Sequence, residues 1–173
     1  MPDYRRWLQP GGIFFFTVVT FERRPFLASP PAPKCLGQAI REIRIMHPFK
    51  IVAMVLLPDH LHCVWSLPSG DADFSMRWRQ IKTRFDHLWL PPDAPYPHEV
   101  WQPRFWEHCV RDETDLKRHV DYIHWNPVKH GHVTRARDWP YSTFARFVKM
   151  GEYDINWGQA EPRTLLNWTV PQE

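Results

Sequence analysis

Two short stretches of this chain carry side chains whose types and spacing suit phosphoryl chemistry. The first is Asp59-His60-Leu61-His62-Cys63. On a β-strand successive side chains alternate between faces, so His60 and His62 point the same way while Leu61 points to the opposite side. Two imidazoles on one face, two residues apart, can hold one metal ion. The second is Tyr122 with Asn126. Four residues apart on a helix, they share a face one turn from each other. Asn126 then offers a carbonyl oxygen as a third, hard ligand. His119 shares that face. His124 is turned to nearly the opposite side and drops out as a ligand. Taken alone, each stretch also has a plain structural reading: two histidines on a polar sheet face, and a tyrosine at the margin of a core.

Chemistry links the two. A phosphodiester resists an anionic attacker, and a divalent cation can neutralise its non-bridging oxygens and stabilise the charge of the transition state. A tyrosine hydroxyl, with an ordinary pKa of about 10, must lose its proton, but phenolate is then both a competent nucleophile and a good leaving group. A covalent phosphotyrosine conserves the bond energy, so a second strand end can be joined without ATP. A tyrosine nucleophile therefore points to strand transfer rather than hydrolysis. Two imidazoles suit zinc and other transition metals as well as magnesium. Three rival readings make different demands. A single-strand-binding module would need neither metal nor Tyr122. A metal phosphoesterase would use water, with Tyr122 structural. A zinc domain built on Cys63 and Cys109 lacks the paired cysteine spacing of such sites.

These residues need elements to position them. The β-branched and aromatic run Ile13 to Phe21 predicts a first strand, after a Gly-Gly break. Leu36, Ile40 and Ile43 at helical spacing predict a helix over Lys34 to Met46, ended by His47-Pro48. Ile51 to Leu57 and His60 to Leu67 predict an antiparallel hairpin turning at Pro58-Asp59. A helix over Ser75 to Trp89 and a short strand within Trp101 to Val110 follow. The next helix has Asp112 or Thr114 as cap, acidic Glu113 and Asp115 at its positive end, and Leu116, Val120 and Ile123 as its buried stripe. Tyr122 falls at the edge of that stripe, and Pro127 is expected to stop the helix. A last helix is expected over Tyr141 to Met150. The order predicts an α+β fold, one antiparallel sheet with helices packed on it, ferredoxin-like or RRM-like. Residues 1–150 form the expected catalytic domain, and 151–173 a C-terminal tail on its surface.

The 173 residues suffice for one good hydrophobic core and are short for two. No apolar run approaches the roughly 20 residues that span a bilayer, and no signal peptide is visible. Cys35, Cys63 and Cys109 are odd in number and widely spaced, which fits free thiols in a cytoplasm. The net charge of +3 permits a nucleic-acid partner without demanding one. Its distribution says more. Arg5, Arg6, Arg23 and Arg24 flank the first strand; Arg77, Arg79, Lys82 and Arg84 fall within two helical turns; Lys117, Arg118, Lys129, Arg135 and Arg137 crowd the later helix and its exit. Lys82, Arg84, Lys129 and Arg135 are candidate phosphate contacts, and Arg5 and Arg6 candidate base readers. Trp78 or Trp125 could stack on unpaired bases.

PDHLHCVW resembles the HUH motif (His, a bulky hydrophobe, His) of single-strand endonucleases. WQPRFWEHCVRDETDLKRHVDYIHWNPVKHG resembles the signature of the REP-associated tyrosine transposases, relatives of single-tyrosine insertion-sequence transposases. The similarity runs from FFFTVVTFERR to WPYSTFARFVKMGEYDINWG, nearly the whole chain. The resemblance implies cleavage of single-stranded DNA at hairpins of repetitive extragenic palindromes, a 5′-phosphotyrosine with a free 3′-hydroxyl, and magnesium or manganese as the metal. It implies that His60 and His62 are metal ligands, that Tyr122 is the nucleophile, and that Asn126 takes a ligand position that is glutamine in related transposases. It also implies a bacterial cytoplasmic, nucleoid-associated protein working as a monomer or homodimer.

Overall fold

The computed structural model describes residues 9–95 and 99–169. Eight main elements follow one another: β1 (Ile13–Val19), α1 (Ala32–Met46), β2 (Lys50–Leu56), β3 (His60–Ser66), α2 (Phe74–Trp89), β4 (Trp106–Cys109), α3 (Glu113–Lys129) and α4 (Phe144–Lys149). The four strands form one antiparallel sheet in the order β2-β3-β1-β4. Strand, helix, hairpin, helix, strand in that spatial order is the ferredoxin-like arrangement. Among the described residues no helix is long and apolar enough to cross a membrane.

Alternation along the strands divides the interior in two. Phe14, Phe16 and Val18 of β1 and Leu61, Cys63 and Trp65 of β3 face α1 and α2 in a core of aromatic and aliphatic side chains. Phe15 of β1, Val64 of β3 and Ala53 and Val55 of β2 face α3. His60 and His62 alternate with Leu61 and Cys63, so they lie on the α3 side.

Several boundaries differ from those the sequence predicts, each for an identifiable reason. β1 ends at Val19 because the chain turns sharply through Glu22 and Arg23, both in the left-handed region at φ 51° and 52°. The last helix starts at Phe144, not Tyr141, because residues 141–143 are used to cover the exposed edge of β2. The Leu56 amide donates to the Tyr141 carbonyl, and the Thr143 amide to the Met54 carbonyl. Beyond α4 the chain is part of the interior: Tyr153 and Leu165 are buried in the α3-side core. The buried Asp121 carboxylate accepts hydrogen bonds from Lys117, from the Tyr153 hydroxyl and from the Thr164 hydroxyl, tying that segment to α3. With a sheet on one side and residues 136–168 on the other, α3 buries far more than the stripe of Leu116, Val120 and Ile123.

Pro127 does not stop α3. The helix continues to Lys129 and ends at Gly131, which adopts φ 71°. The Gly131 amide donates to the Val128 carbonyl and the His132 amide to the Pro127 carbonyl. This is a Schellman ending, and glycine supplies its left-handed residue without strain. Proline removes one donor near the end of the helix, but a glycine four residues later sets where the helix stops.

Candidate active site

The sheet register fixes the two histidines. His62 lies opposite Thr17 on β1, and His60 opposite Val19. The Thr17 Oγ1 is 2.9 Å from His62 Nδ1. His60 Nδ1 lies 2.6 Å from Asp59 Oδ1, and the other oxygen of Asp59 accepts from the Arg23 guanidinium at 2.9 Å. The hydrogen bond from His60 holds the Asp59 carboxyl down at about 2, helped by the hydrogen bond and charge of Arg23 and opposed by partial burial. A carboxylate on Nδ1 keeps the proton there and leaves Nε2 as a lone pair, the arrangement in which imidazole binds a metal. The left-handed turn at Glu22 and Arg23 delivers the guanidinium to Asp59. The two imidazole rings are 4.8 Å apart, centre to centre.

Helix α3 lays its own residues over them. Tyr122 is fully buried, with its ring 5.3 Å from that of His62 and 5.8 Å from Trp168. The sequence placed it at the margin of the core; the segment after α4 covers it. The Tyr122 hydroxyl oxygen accepts from Lys129 Nζ at 3.1 Å. Asn126 is fully buried one turn from Tyr122. Neither atom of its amide, nor Nε2 of His60, has a hydrogen-bond partner among the described residues. Leaving such a buried group unsatisfied costs about 1–3 kcal/mol, so the cluster is built to receive something. Imidazole nitrogen with amide oxygen is a donor set that fits a divalent cation. His130 and His132 extend the group, with the His130 ring 5.6 Å from that of His60. Burial, then the charge of His130, lowers the His132 pKa.

A separate cluster sets the angle of α3. Asp112 caps the helix by accepting from the Asp115 amide. Ligand-type atoms of His108, Asp115 and His119 lie within 4.8 Å of one another. They are already spent on each other. His108 Nε2 donates to Asp115 Oδ2 at 2.8 Å, the Arg111 amide donates to the same oxygen, and His119 Nδ1 donates to the Asp115 carbonyl. The two imidazoles are stacked at 20°, so their lone pairs lie in nearly parallel planes, a poor arrangement for meeting at one ion. The cluster is a clamp between β4 and the first turn of α3. Burial pushes the His119 pKa down to about 4. Burial alone would raise the Asp115 carboxyl, but hydrogen bonds from His108 and the Arg111 amide bring it to about 2. His124, also held neutral by burial at about 3, packs away from the site against Thr143 and Tyr153.

The candidate nucleic-acid contacts fare unequally. Arg5 and Arg6 lie outside the described residues. Lys82 donates to the Gln102 carbonyl, and Arg84 pairs with Glu42; both sit on α2, across the sheet from Tyr122. Arg77 in the same cluster is buried in an ion pair with Asp71 and is no surface cation. Arg135 pairs with Asp138 beside the 3-10 turn that packs on α3. Trp78 cannot stack on a base: it is 1% exposed and stacked on Trp65 in the α1–α2 core. Cys63 faces that core, away from His60 and His62, and burial pushes its thiol pKa up. It is separated from Cys109 by β1, and all three cysteines are free. Sequence reasoning missed Thr17 and the role of Asp59. It also missed the contact of Lys129 with Tyr122, although their spacing of seven places both on one helix face.

No protein-family model matches the chain. A REP-associated tyrosine transposase of Escherichia coli is 48% identical over 157 residues, covering 91% of each chain. A relative from Haemophilus influenzae, described in the same terms, is 38% identical over 167 residues and covers 91% of this chain and 94% of its own. The solved structure of a REP-associated tyrosine transposase bound to a REP hairpin superposes with a TM-score of 0.82 at 48% identity, again covering 91% of each chain.

Proposed function

The chain belongs to the REP-associated tyrosine transposases, and we propose that it cleaves and rejoins single-stranded, hairpin-forming DNA through a 5′-phosphotyrosine at Tyr122. One observation carries this reading. His60, His62 and Tyr122 form a continuous buried group, with ring centres 4.8 and 5.3 Å apart, beside the unsatisfied amide of Asn126. The solved relative bound to a REP hairpin supports repetitive extragenic palindromes as the DNA. A substrate of that kind favours work in the bacterial cytoplasm, at the nucleoid.

In cleavage the phenolic oxygen of Tyr122 forms a bond to phosphorus and the bond from phosphorus to the 3′-oxygen breaks. The phenolic proton is lost and the departing 3′-oxygen gains one, so nothing is consumed. In joining, an incoming 3′-hydroxyl reverses each change. His60, His62 and Asn126 are the residues that would hold magnesium or manganese. That ion would neutralise the phosphate's non-bridging oxygens. Thr17 and Asp59 hold the two imidazoles in place, and the His108–Asp115–His119 clamp holds the helix that carries Tyr122. Arg135 after α3, Lys82 and Arg84 across the sheet, and Arg5 and Arg6 complete the proposed DNA contacts, and binding through them weakens with salt.

The test is a strand-transfer assay on a labelled REP hairpin with a second oligonucleotide bearing a free 3′-hydroxyl. The expected result is a joined product that requires manganese or magnesium and no ATP. Cleavage with multiple turnover and no joined product would instead favour a water-using phosphoesterase.

A further inference from the structure

The reading above leaves one group at the reacting atom unassigned. Lys129 Nζ lies 3.1 Å from the Tyr122 oxygen and 5.0 Å from the centre of its ring. Two features of the sequence bring it there. The Schellman ending at Gly131 carries α3 past Pro127, so Lys129 is a helical residue rather than a loop cation. A separation of seven residues is two turns, which returns the side chain to the Tyr122 face, and helical side chains lean toward the N-terminus, back over that turn.

We propose that Lys129 is a catalytic residue for strand cleavage and joining, its ammonium donating a hydrogen bond to the phenolic oxygen of Tyr122. In cleavage this oxygen attacks as it gives up its proton, and the ammonium stabilises the negative charge it then carries. In joining, the bond from phosphorus to the Tyr122 oxygen breaks and the electron pair stays on that oxygen. The same donor already sits where the leaving-group charge develops, so no reorganisation is needed. The ammonium stays protonated throughout and adds no proton to either balance. Lysine suits this: it is a compact point charge with three donors, able to serve the oxygen as its bond to phosphorus forms and breaks. Two features set Lys129 apart from the site's other members. It is exposed, while His60, His62, Tyr122 and Asn126 are buried. It touches the reacting atom itself.

This proposal rests on Tyr122 being the nucleophile, and the experiment keeps the two apart. The wild-type chain is incubated with manganese and a saturating REP hairpin, and the rate of covalent protein–DNA adduct is measured beside Lys129→Met, Lys129→Arg and Tyr122→Phe. Hairpin affinity is measured by fluorescence anisotropy, and folding by circular dichroism. Removing a preformed donor at a developing anion costs on the order of 100-fold in rate, so Lys129→Met is expected to slow adduct formation by roughly that factor at saturating hairpin. Lys129→Arg should restore part of the loss, because it keeps the charge with a different fork of donors. Because Lys129 is exposed, both variants should stay folded. A Lys129→Met chain that forms adduct at the wild-type rate once saturated, with its only loss in affinity, would overturn the proposal and make Lys129 a phosphate contact. An adduct that persists in Tyr122→Phe would overturn the parent reading instead.

Discussion

The two faces of β3 carry opposite kinds of side chain. Leu61, Cys63 and Trp65 point into the α1–α2 core, where aromatic rings stack on one another. His60 and His62 point the other way, toward α3, among Thr17, Tyr122 and Asn126. Both faces are equally shut from water. One is closed by groups that gain from leaving water, the other by groups that lose unless something binds them. One strand can thus supply the rigidity and the chemistry together, because its side chains alternate and a seven-residue element presents both.

The difference is sharpest in what truncation should do on each side. Trp65→Ala removes a fully buried ring and should cost about 3–5 kcal/mol of stability, visible as a large fall in the urea midpoint. The folded fraction should keep its activity. His60→Ala, five residues away on the opposite face, should cost distinctly less stability but slow strand cleavage by on the order of 100-fold or more, since metal stabilisation of transition-state charge is worth several kcal/mol. If His60→Ala unfolds the chain while Trp65→Ala spares it, the division of labour between the faces is wrong.

Mild acid, through buried histidines, should act on the α3 side. The folded value of His119, about 4, lies below its free value of 6.5 because burial disfavours the charged ring. The unfolded chain therefore binds the proton first. The stability that His119 contributes is fully present above about pH 6.5 and is lost as pH falls toward 4, at about 1.4 kcal/mol per pH unit for one histidine. His124, at about 3, adds to the same slope. Asp59 and Asp115, held near 2 against a free value of 3.8, contribute stability that is lost only below about pH 4. Urea titrations at pH 7, 6 and 5 should show the histidine slope, and His119→Gln should reduce it by roughly half. An unchanged slope would remove His119 from the account.

The smallest effect concerns the helix ending. Gly131→Ala places a β-carbon on a residue at φ 71° with open space around it, so its cost is conformational only, about 1 kcal/mol. It should lower the thermal midpoint slightly and, by fraying the turn that carries Lys129, slow adduct formation more than it destabilises the fold.

Much of this was legible in the residues. The alternation of His60, Leu61 and His62 put both histidines on one face. The spacing of Tyr122 and Asn126 put them on one helix face, and the strand and helix order gave the ferredoxin-like fold. These are short-range periodicities, which depend only on local geometry. What was hidden depends on tertiary register or on a competition between local signals. Thr17 meets His62 only because β1 and β3 pair in one particular register. The His108–Asp115–His119 clamp needs β4 set beside β1. Tyr122 looked marginal because nothing in residues 151–169 shows a periodicity that would announce Tyr153, Leu165 and Trp168 as cover for α3. The contact of Lys129 with Tyr122 was hidden because proline seemed to end the helix when glycine does.

The claim on which the rest depends is that Tyr122 takes the DNA covalently. The direct measurement is mass spectrometry of peptides from the chain after reaction with a REP hairpin and manganese, following nuclease digestion of the DNA. The expected result is a nucleotide phosphate on the peptide containing Tyr122, and none from the Tyr122→Phe variant. Hairpin cleavage with that peptide unmodified, or with the phosphate on another tyrosine, would contradict it.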